Sequence, residues 1–301
     1  MEPIIKYQKG DSYLVLDNLE KNFFDLIITS PPYNLQKDYE DRLSFDNYLT
    51  SQRKIIEKMV PLLSDHGSIC WQVGNTIDTK TREIIPLDVY FYNIFKDQGL
   101  FLRNRIVWSF GHGFHATKRF SGRYETILWF TKTDQYIFNL DDVRVPAKYP
   151  GKRYFKGPKK GQLSGNPKGK NPGDVWEVLA NDWDNEIWNI PNVKSNHPEK
   201  TEHPCQYPVE LVERCILALT HPGGWILDPF AGVGSTLLAA YKNSRNAIGI
   251  ELFQAYIDIG EKRLDHLREG NLPLRPLTKE VMDPNDSPLS RMPDEFLPHT
   301  K

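Results

Sequence analysis

Short apolar blocks alternate along this chain with longer stretches in which apolar residues recur every three or four positions. Residues 25–30 carry Leu26, Ile27 and Ile28 as one block and stop at Pro31-Pro32. Such a block predicts a strand buried on both faces, and two prolines cannot continue its hydrogen-bonded ladder. Residues 45–63 place Tyr48, Ile55, Ile56, Met59 and Val60 at helical spacing. Residues 68–73, 105–109 and 126–130 read as further strands, and 86–96 as a helix before the second of these. Regular patterning returns at 207–219, where Val209, Val212, Ile216 and Leu219 share one helix face. A strand at 225–228, a glycine turn, a helix at 235–242, a strand at 247–251 and a helix at 254–267 follow. Strands alternating with helices predict an α/β fold, a doubly wound and mostly parallel twisted sheet with helices on both faces. In such a sheet Ser30 and Asp228 belong at the C-terminal ends of adjacent strands, the usual ligand crevice.

The periodicity fails between 134 and 187, which is rich in Gly, Pro, Lys and aromatic residues. That texture predicts an insertion of recognition loops rather than core. The tail from Asn271 holds six prolines and is expected to drape over the surface or stay unstructured. The chain thus divides into 1–133, an insertion 134–187, a second half 188–270 and a tail 271–301.

Charge sharpens this division. Net charge is −1, yet residues 144–173 hold nine lysines and arginines and no acid. Lys152, Arg153, Lys156, Lys159, Lys160, Lys168 and Lys170 are interleaved there with Tyr149, Tyr154 and Phe155. Basic and aromatic residues mixed with Gly and Pro suit a loop lying on phosphates; a solvated loop is the alternative. Lys118, Arg119 and Arg123 offer a second set of phosphate contacts. The three cysteines have no C-x-x-C spacing, so neither a disulfide framework nor a Cys-rich zinc site is expected. His112 and His115 stand three apart without a third ligand and read as loop residues, so no metal is expected. No apolar run is long enough to span a bilayer and the N-terminus lacks a signal-peptide core. The expectation is a cytoplasmic protein without membrane contact.

Asp228-Pro229-Phe230-Ala231-Gly232-Val233-Gly234-Ser235 lies between a predicted strand and a predicted helix. Gly232 and Gly234 let the backbone turn tightly and approach a ligand, and the helix start offers free N–H groups. Glu251 ends the next strand, where an acid can accept both ribose hydroxyls of a nucleoside cofactor. Leu237 stands where a dinucleotide fingerprint has its third glycine. S-adenosylmethionine has no phosphate to cradle and fits this turn better.

Ser30-Pro31-Pro32-Tyr33 addresses a specific chemical problem. The exocyclic amine of cytosine or adenine shares its lone pair with the ring and is a poor nucleophile. Acceptors off the base plane can hold its two N–H protons and localise the pair toward a methyl donor. The Ser30 hydroxyl can accept one hydrogen bond and the Pro31 carbonyl, rigidly directed by its neighbours, the other. Tyr33 can stack on a base flipped from its duplex.

With these residues in hand the chain resembles the β class of amino-methylating DNA methyltransferases of bacterial restriction–modification systems. The resemblance covers most of residues 4–268 and implies a sheet of the seven-stranded methyltransferase type. It implies that 1–133 is the catalytic half, 134–187 the target-recognition region and 188–270 the cofactor half. Ser30, Pro31, Pro32 and Tyr33 match the catalytic motif. Pro229, Phe230, Ser235 and Leu252 join Asp228, Gly232, Gly234 and Glu251 at the cofactor motif, together with Ser30 and Pro31. Asp11 lies in a segment resembling one whose acid reaches the adenine amine, and His203, Pro204 and Gln206 resemble a segment near the methionine end. Tyr207 departs from that pattern, standing where Lys is common. The resemblance implies double-stranded DNA as substrate and a cognate restriction endonuclease as functional partner; monomer and homodimer both remain open. Ser at the first tetrapeptide position favours N4 of cytosine, with N6 of adenine the alternative.

Two rivals remain at this point, with RNA or protein as substrate a third. Pro204-Cys205-Gln206 resembles the nucleophile tripeptide of C5-cytosine methyltransferases, but it precedes the cofactor turn where that class has it after. A cofactor-sensing nucleic-acid binder without catalysis would use the same fold and leave Ser-Pro-Pro-Tyr without a task.

Overall fold

The computed structural model describes residues 2–34, 43–78, 80–110, 115–176, 193, 198–202 and 206–274. Strand β1 (Ile5–Lys9) and the short helix α1 (Ser12–Val15) precede β2 (Phe24–Thr29). Helix α2 (Phe45–Met59) leads into β3 (Leu63–Val73), a hairpin of β4 (Asn75–Ile77) and β5 (Ile84–Pro86), and α3 (Leu87–Asp97). Strands β6 (Phe101–Ser109), β7 (Tyr124–Thr131) and the two-residue β8 (Val175–Trp176) follow. The second half runs α4 (Val209–Leu219), β9 (Trp225–Asp228), α5 (Ser235–Lys242), β10 (Asn246–Glu251) and α6 (Gln254–Arg268).

Eight strands form one sheet in the order β1-β10-β9-β2-β3-β7-β6-β8. Every pairing in it is parallel except those of β7, which runs against both β3 and β6. The expected doubly wound, mostly parallel sheet is present, with β8 as an additional edge. Alternation along β2 explains its continuous apolar block. Leu26 and Ile28 face one core with Cys70, Ile226, and residues of α4 and α5; Ile27 faces the other with Trp71 and residues of α2 and α3. Full burial of each such aliphatic side chain contributes roughly 1.5–3 kcal/mol.

Several elements differ from the sequence expectation. Strand β3 begins at Leu63, before the expected 68: Phe24 pairs with Leu63, then the register jumps so that Leu26 pairs with Ser68. The extra residues form an irregularity whose polar character hides the strand. Strand β1 was not expected, because it alternates only weakly at the sheet edge. The β4–β5 hairpin and β8 are too short to show a period. The expected insertion is largely exposed, but its base is core: Val143, Val145 and Trp176 are buried beside α4. Asn139 fastens that base by donating to the Leu217 and Thr220 carbonyls at 3.0 and 2.7 Å. Of the tail, only residues up to 274 are described; Leu272 and Leu274 pack on the core.

Candidate active site

Strand β2 delivers Ser30-Pro31-Pro32-Tyr33 at its C-terminal end. The turn is pinned by the Tyr48 hydroxyl, which donates to the Pro32 carbonyl at 2.8 Å. Asn34 follows with φ 59°, its side chain bonded both ways to the Leu43 backbone. Ser30 Oγ lies 3.0 Å from Tyr33 Oη.

The neighbouring strand β9 ends at Asp228, which is fully buried. Its carboxylate accepts from Thr29 Oγ1 at 2.6 Å, Tyr207 Oη at 2.9 Å and the Phe230 N–H at 3.0 Å, and also from Thr236 Oγ1. Burial pushes the Asp228 carboxyl above the usual range, and these donors oppose the shift. Gly232 and Gly234 take φ of 51° and 81°, the left-handed region in which a side chain is strained. A Cβ on Gly234 would also lie 2.2 Å from Tyr7 Oη. Glu251, at the end of β10, accepts from the Gly232 N–H at 3.0 Å and the Phe253 N–H at 2.9 Å. Burial raises its carboxyl as well.

One cavity of about 760 Å³ runs between the two turns. Ser30, Pro31, Pro32 and Tyr33 line one wall; Pro229, Phe230, Gly232, Ser235, Glu251 and Leu252 line another; Asp11 and Gln206 are also on its lining. Its size suits a nucleoside-sized ligand. Asp228 and Gly234 are not on the wall; they brace the turn from beneath. Asp11 also caps α1, accepting from the Tyr13 N–H at 2.8 Å. Ser12 ties the same segment to the Pro229 carbonyl. Gln206 is held by the Glu199 carbonyl and the Thr201 hydroxyl, each at 2.8 Å. His203, Pro204 and Cys205 lie outside the described residues, as does His112. Tyr207, the departure from the family pattern, anchors Asp228 and Thr236. Burial and the Asp228 charge push its phenol well above the usual value.

Among the wall residues that sequence reasoning missed, two carry the chemistry of the site. Gln72 on β3 and Glu125 on β7 meet side by side, the amide donating to the carboxylate. Tyr33 Oη donates to the same Glu125 oxygen at 3.4 Å. Burial pushes the Glu125 carboxyl up to about 7, against the two hydrogen bonds. Gln72 Oε1 is buried without a hydrogen-bond partner among the described residues. The available signal was a polar residue near the pocket-facing end of each apolar strand.

The basic residues lie apart from this wall. Lys152, Arg153, Lys156, Lys159, Lys160 and Lys168 are exposed and Lys170 is half-buried. Several already have protein partners: Arg153 donates to the Gly161 carbonyl and Lys168 to Asp141, both at 2.6 Å, and the Lys159 ammonium lies 6.0 Å from the centre of the Tyr154 ring. Lys118 and Arg119 are exposed on the loop before β7. Arg123, half-buried there, approaches His115 Nδ1 at 3.5 Å.

The DNA methylase family profile of N6/N4 type matches residues 24–262. The chain belongs to the N6/N4 DNA methylase family. Type II methyltransferase M.BglII of Bacillus subtilis is 47% identical over 254 residues, covering 84% of this chain and 67% of that protein. DNA adenine methyltransferase YhdJ of Escherichia coli (strain K12) is 31% identical, covering 85% of this chain and 81% of that protein. Among solved structures, the PvuII DNA methyltransferase (cytosine-N4-specific) superposes with a TM-score of 0.65 at 20% identity, over 87% of this chain and 86% of that one. A DNA modification methylase of Thermus thermophilus, complexed with S-adenosyl-L-methionine, gives 0.61 at 22% identity, over 90% and 95%. These similarities identify the fold as the α/β methyltransferase fold. This methyltransferase is S-adenosylmethionine-dependent and acts on an exocyclic amino group of DNA.

Proposed function

We propose that this enzyme methylates N4 of cytosine, with the flipped base seated against Ser30-Pro31-Pro32-Tyr33. The observation that carries the reading is the single cavity shared by that turn and by Gly232 and Glu251. The residues present fit the methyl donor. The Gly232 turn leaves room for close approach, Glu251 offers a carboxylate for the ribose, and Phe230 and Leu252 offer apolar surface. When bound, S-adenosylmethionine supplies a sulfonium methyl, and the carbon–sulfur bonding pair stays on sulfur as the methyl leaves. The Ser30 hydroxyl and the Pro31 carbonyl hold the amine protons out of the base plane, so the nitrogen pair points at that methyl. Tyr33 stacks on the ring. Asp228 acts from beneath, fixing the glycine turn. His203, Pro204 and Gln206 flank the methionine end, and Asp11 reaches the adenine amine. Ser at the first tetrapeptide position favours cytosine. The adenine reading is supported by the relative named a DNA adenine methyltransferase.

Residues 134–187 read the target, with 1–133 and 188–270 as catalytic and cofactor halves. Lys118, Arg119, Arg123 and the lysines of the basic loop contact DNA phosphates. Similarity to type II methyltransferases supports a cognate restriction endonuclease as functional partner and a cytoplasmic location. No helix among the described residues is long and apolar enough to cross a membrane.

The test is to methylate DNA with this enzyme, digest it to nucleosides and identify the product by mass. N4-methylcytosine is expected. N6-methyladenine would overturn the choice of base, and 5-methylcytosine the amino chemistry. Cys205→Ser retains full activity on this reading and none on the C5 reading.

A further inference from the structure

The hydrogen bonds around Tyr33 do not end at the catalytic turn. Ser30 Oγ lies 3.0 Å from Tyr33 Oη, and Tyr33 Oη lies 3.4 Å from Glu125 Oε2. The Gln72 side-chain amide holds that same carboxylate oxygen from β3, and the Gln72 backbone carbonyl is a second, longer acceptor for Tyr33 at 3.5 Å. Three side chains from β2's turn and β7 therefore form one line leading from the catalytic serine to a carboxyl group.

A phenol has a single proton, and that fixes the direction of the line. When Tyr33 gives its proton to an ionised Glu125, Ser30 can bond Tyr33 only as the donor. Both lone pairs of Ser30 Oγ then face away from Tyr33, available to the N–H of the target amine. When Glu125 carries a proton, it can donate to Tyr33 Oη and Tyr33 can turn its own proton onto Ser30 Oγ. The serine then loses an acceptor position.

We propose that Glu125 is a positioning residue for methyl transfer, orienting the Ser30 hydroxyl through Tyr33 as an acceptor for the target amine and taking up the proton the amine releases. This rests on the reading of Ser30 as the acceptor for that amine. Methylation leaves the nitrogen with one proton too many. That proton passes to Ser30 Oγ, the Ser30 proton to Tyr33 Oη, and the Tyr33 proton to Glu125 Oε2. The carboxylate becomes a carboxylic acid and later loses the proton to solvent.

The surroundings of Glu125 suit the task. The groups facing it are the Tyr33 phenol and the Gln72 amide, and its side chain packs against Gly74. Its register neighbour on β6 is Trp108. Arg123, two residues earlier, is directed at His115. Burial without a cationic partner among the described residues lifts the carboxyl to about 7, where a group can both accept and return a proton.

The experiment compares single-turnover methyl transfer against pH for wild type, Glu125→Gln and Tyr33→Phe. Cofactor affinity and the carboxylic-acid infrared band are followed in the same proteins. The wild-type rate should fall about tenfold per pH unit below about 7. E125Q should be slower by about 100-fold at pH 8 and lose that acid limb, with cofactor affinity retained. A carboxylic-acid band should vanish through about pH 7 in wild type and be absent from E125Q. Y33F should keep the band yet lose the acid limb, because it cuts the line while keeping the ring. An E125Q or Y33F protein with the wild-type pH profile overturns the proposal. A wild type that methylates normally with no acid limb also overturns it, and leaves the role of Ser30 standing.

Discussion

Thr29 and Asp228 meet across two parallel strands, the Thr29 hydroxyl donating to Asp228 Oδ1 at 2.6 Å. One strand ends in the catalytic tetrapeptide and the other in the glycine turn, so this bond sets the spacing of the two cavity walls. Thr29→Val removes one donor from a fully buried carboxylate. The expected loss is about 1–3 kcal/mol of stability, read from urea unfolding, together with weaker cofactor binding. Unchanged stability would mean that Tyr207, Thr236 and the Phe230 N–H satisfy Asp228 without it.

Glu251→Ala should weaken S-adenosylmethionine binding by about 10- to 100-fold, the range for losing charged hydrogen bonds. The substitution removes both the carboxylate assigned to the ribose and the acceptor of the Gly232 N–H. Calorimetry on the purified protein reads this directly. An affinity equal to wild type would count against the ribose assignment.

The parts legible in the sequence are those with strong local rules. The apolar block ending at Pro31-Pro32 gave away β2 and its turn, and the strand, glycine turn and acid gave away β9, α5 and Glu251. No local pattern marks the role of Thr29, because its bond to Asp228 joins residues far apart in the chain. Gln72 and Glu125 were hidden for the same reason: antiparallel pairing of β3 with β7 brings them together, and no local pattern records it. The role of Tyr207 was also non-local. Its position looked like a departure from a motif, and only folding sets its hydroxyl against Asp228. The insertion illustrates the opposite limit, since Val143, Val145 and Trp176 are too widely spaced to read as core.

Glu125 also makes stability depend on pH. In the folded protein its carboxyl holds a proton up to about 7, against an ordinary value of 4.5. Below about 4.5 both folded and unfolded chains are protonated. As pH rises from there to about 7 only the unfolded chain ionises, so stability falls across that window and then levels. Relative to E125Q, wild type should lose on the order of 2 kcal/mol between pH 4.5 and 7.5, allowing for partial exposure. Thermal unfolding of the two proteins across that range tests the sign: parallel curves would mean that folding leaves this carboxyl unperturbed.

The basic loop is tested by salt. Each lysine neutralising a phosphate contributes a slope of about 0.9 to the fall of log affinity with log salt. Changing Lys159 and Lys160 to Ala should flatten the slope by roughly 1–2 on any DNA sequence. Arg153, whose guanidinium also supports the Gly161 carbonyl, should relax sequence preference when changed to Lys. Parallel salt plots for wild type and the double variant would remove these lysines from the DNA interface and point to Lys118, Arg119 and Arg123 instead.

The account centres on Ser30 as an acceptor used chiefly as the amine reorganises toward the transition state. The most direct measurement is single-turnover methyl transfer by Ser30→Ala, paired with its S-adenosylmethionine affinity. The expected result is a rate lower by about 100-fold or more with cofactor affinity within about twofold of wild type. A rate close to wild type, or an equal loss of affinity and rate, would contradict it and make Ser30 a structural residue of the turn.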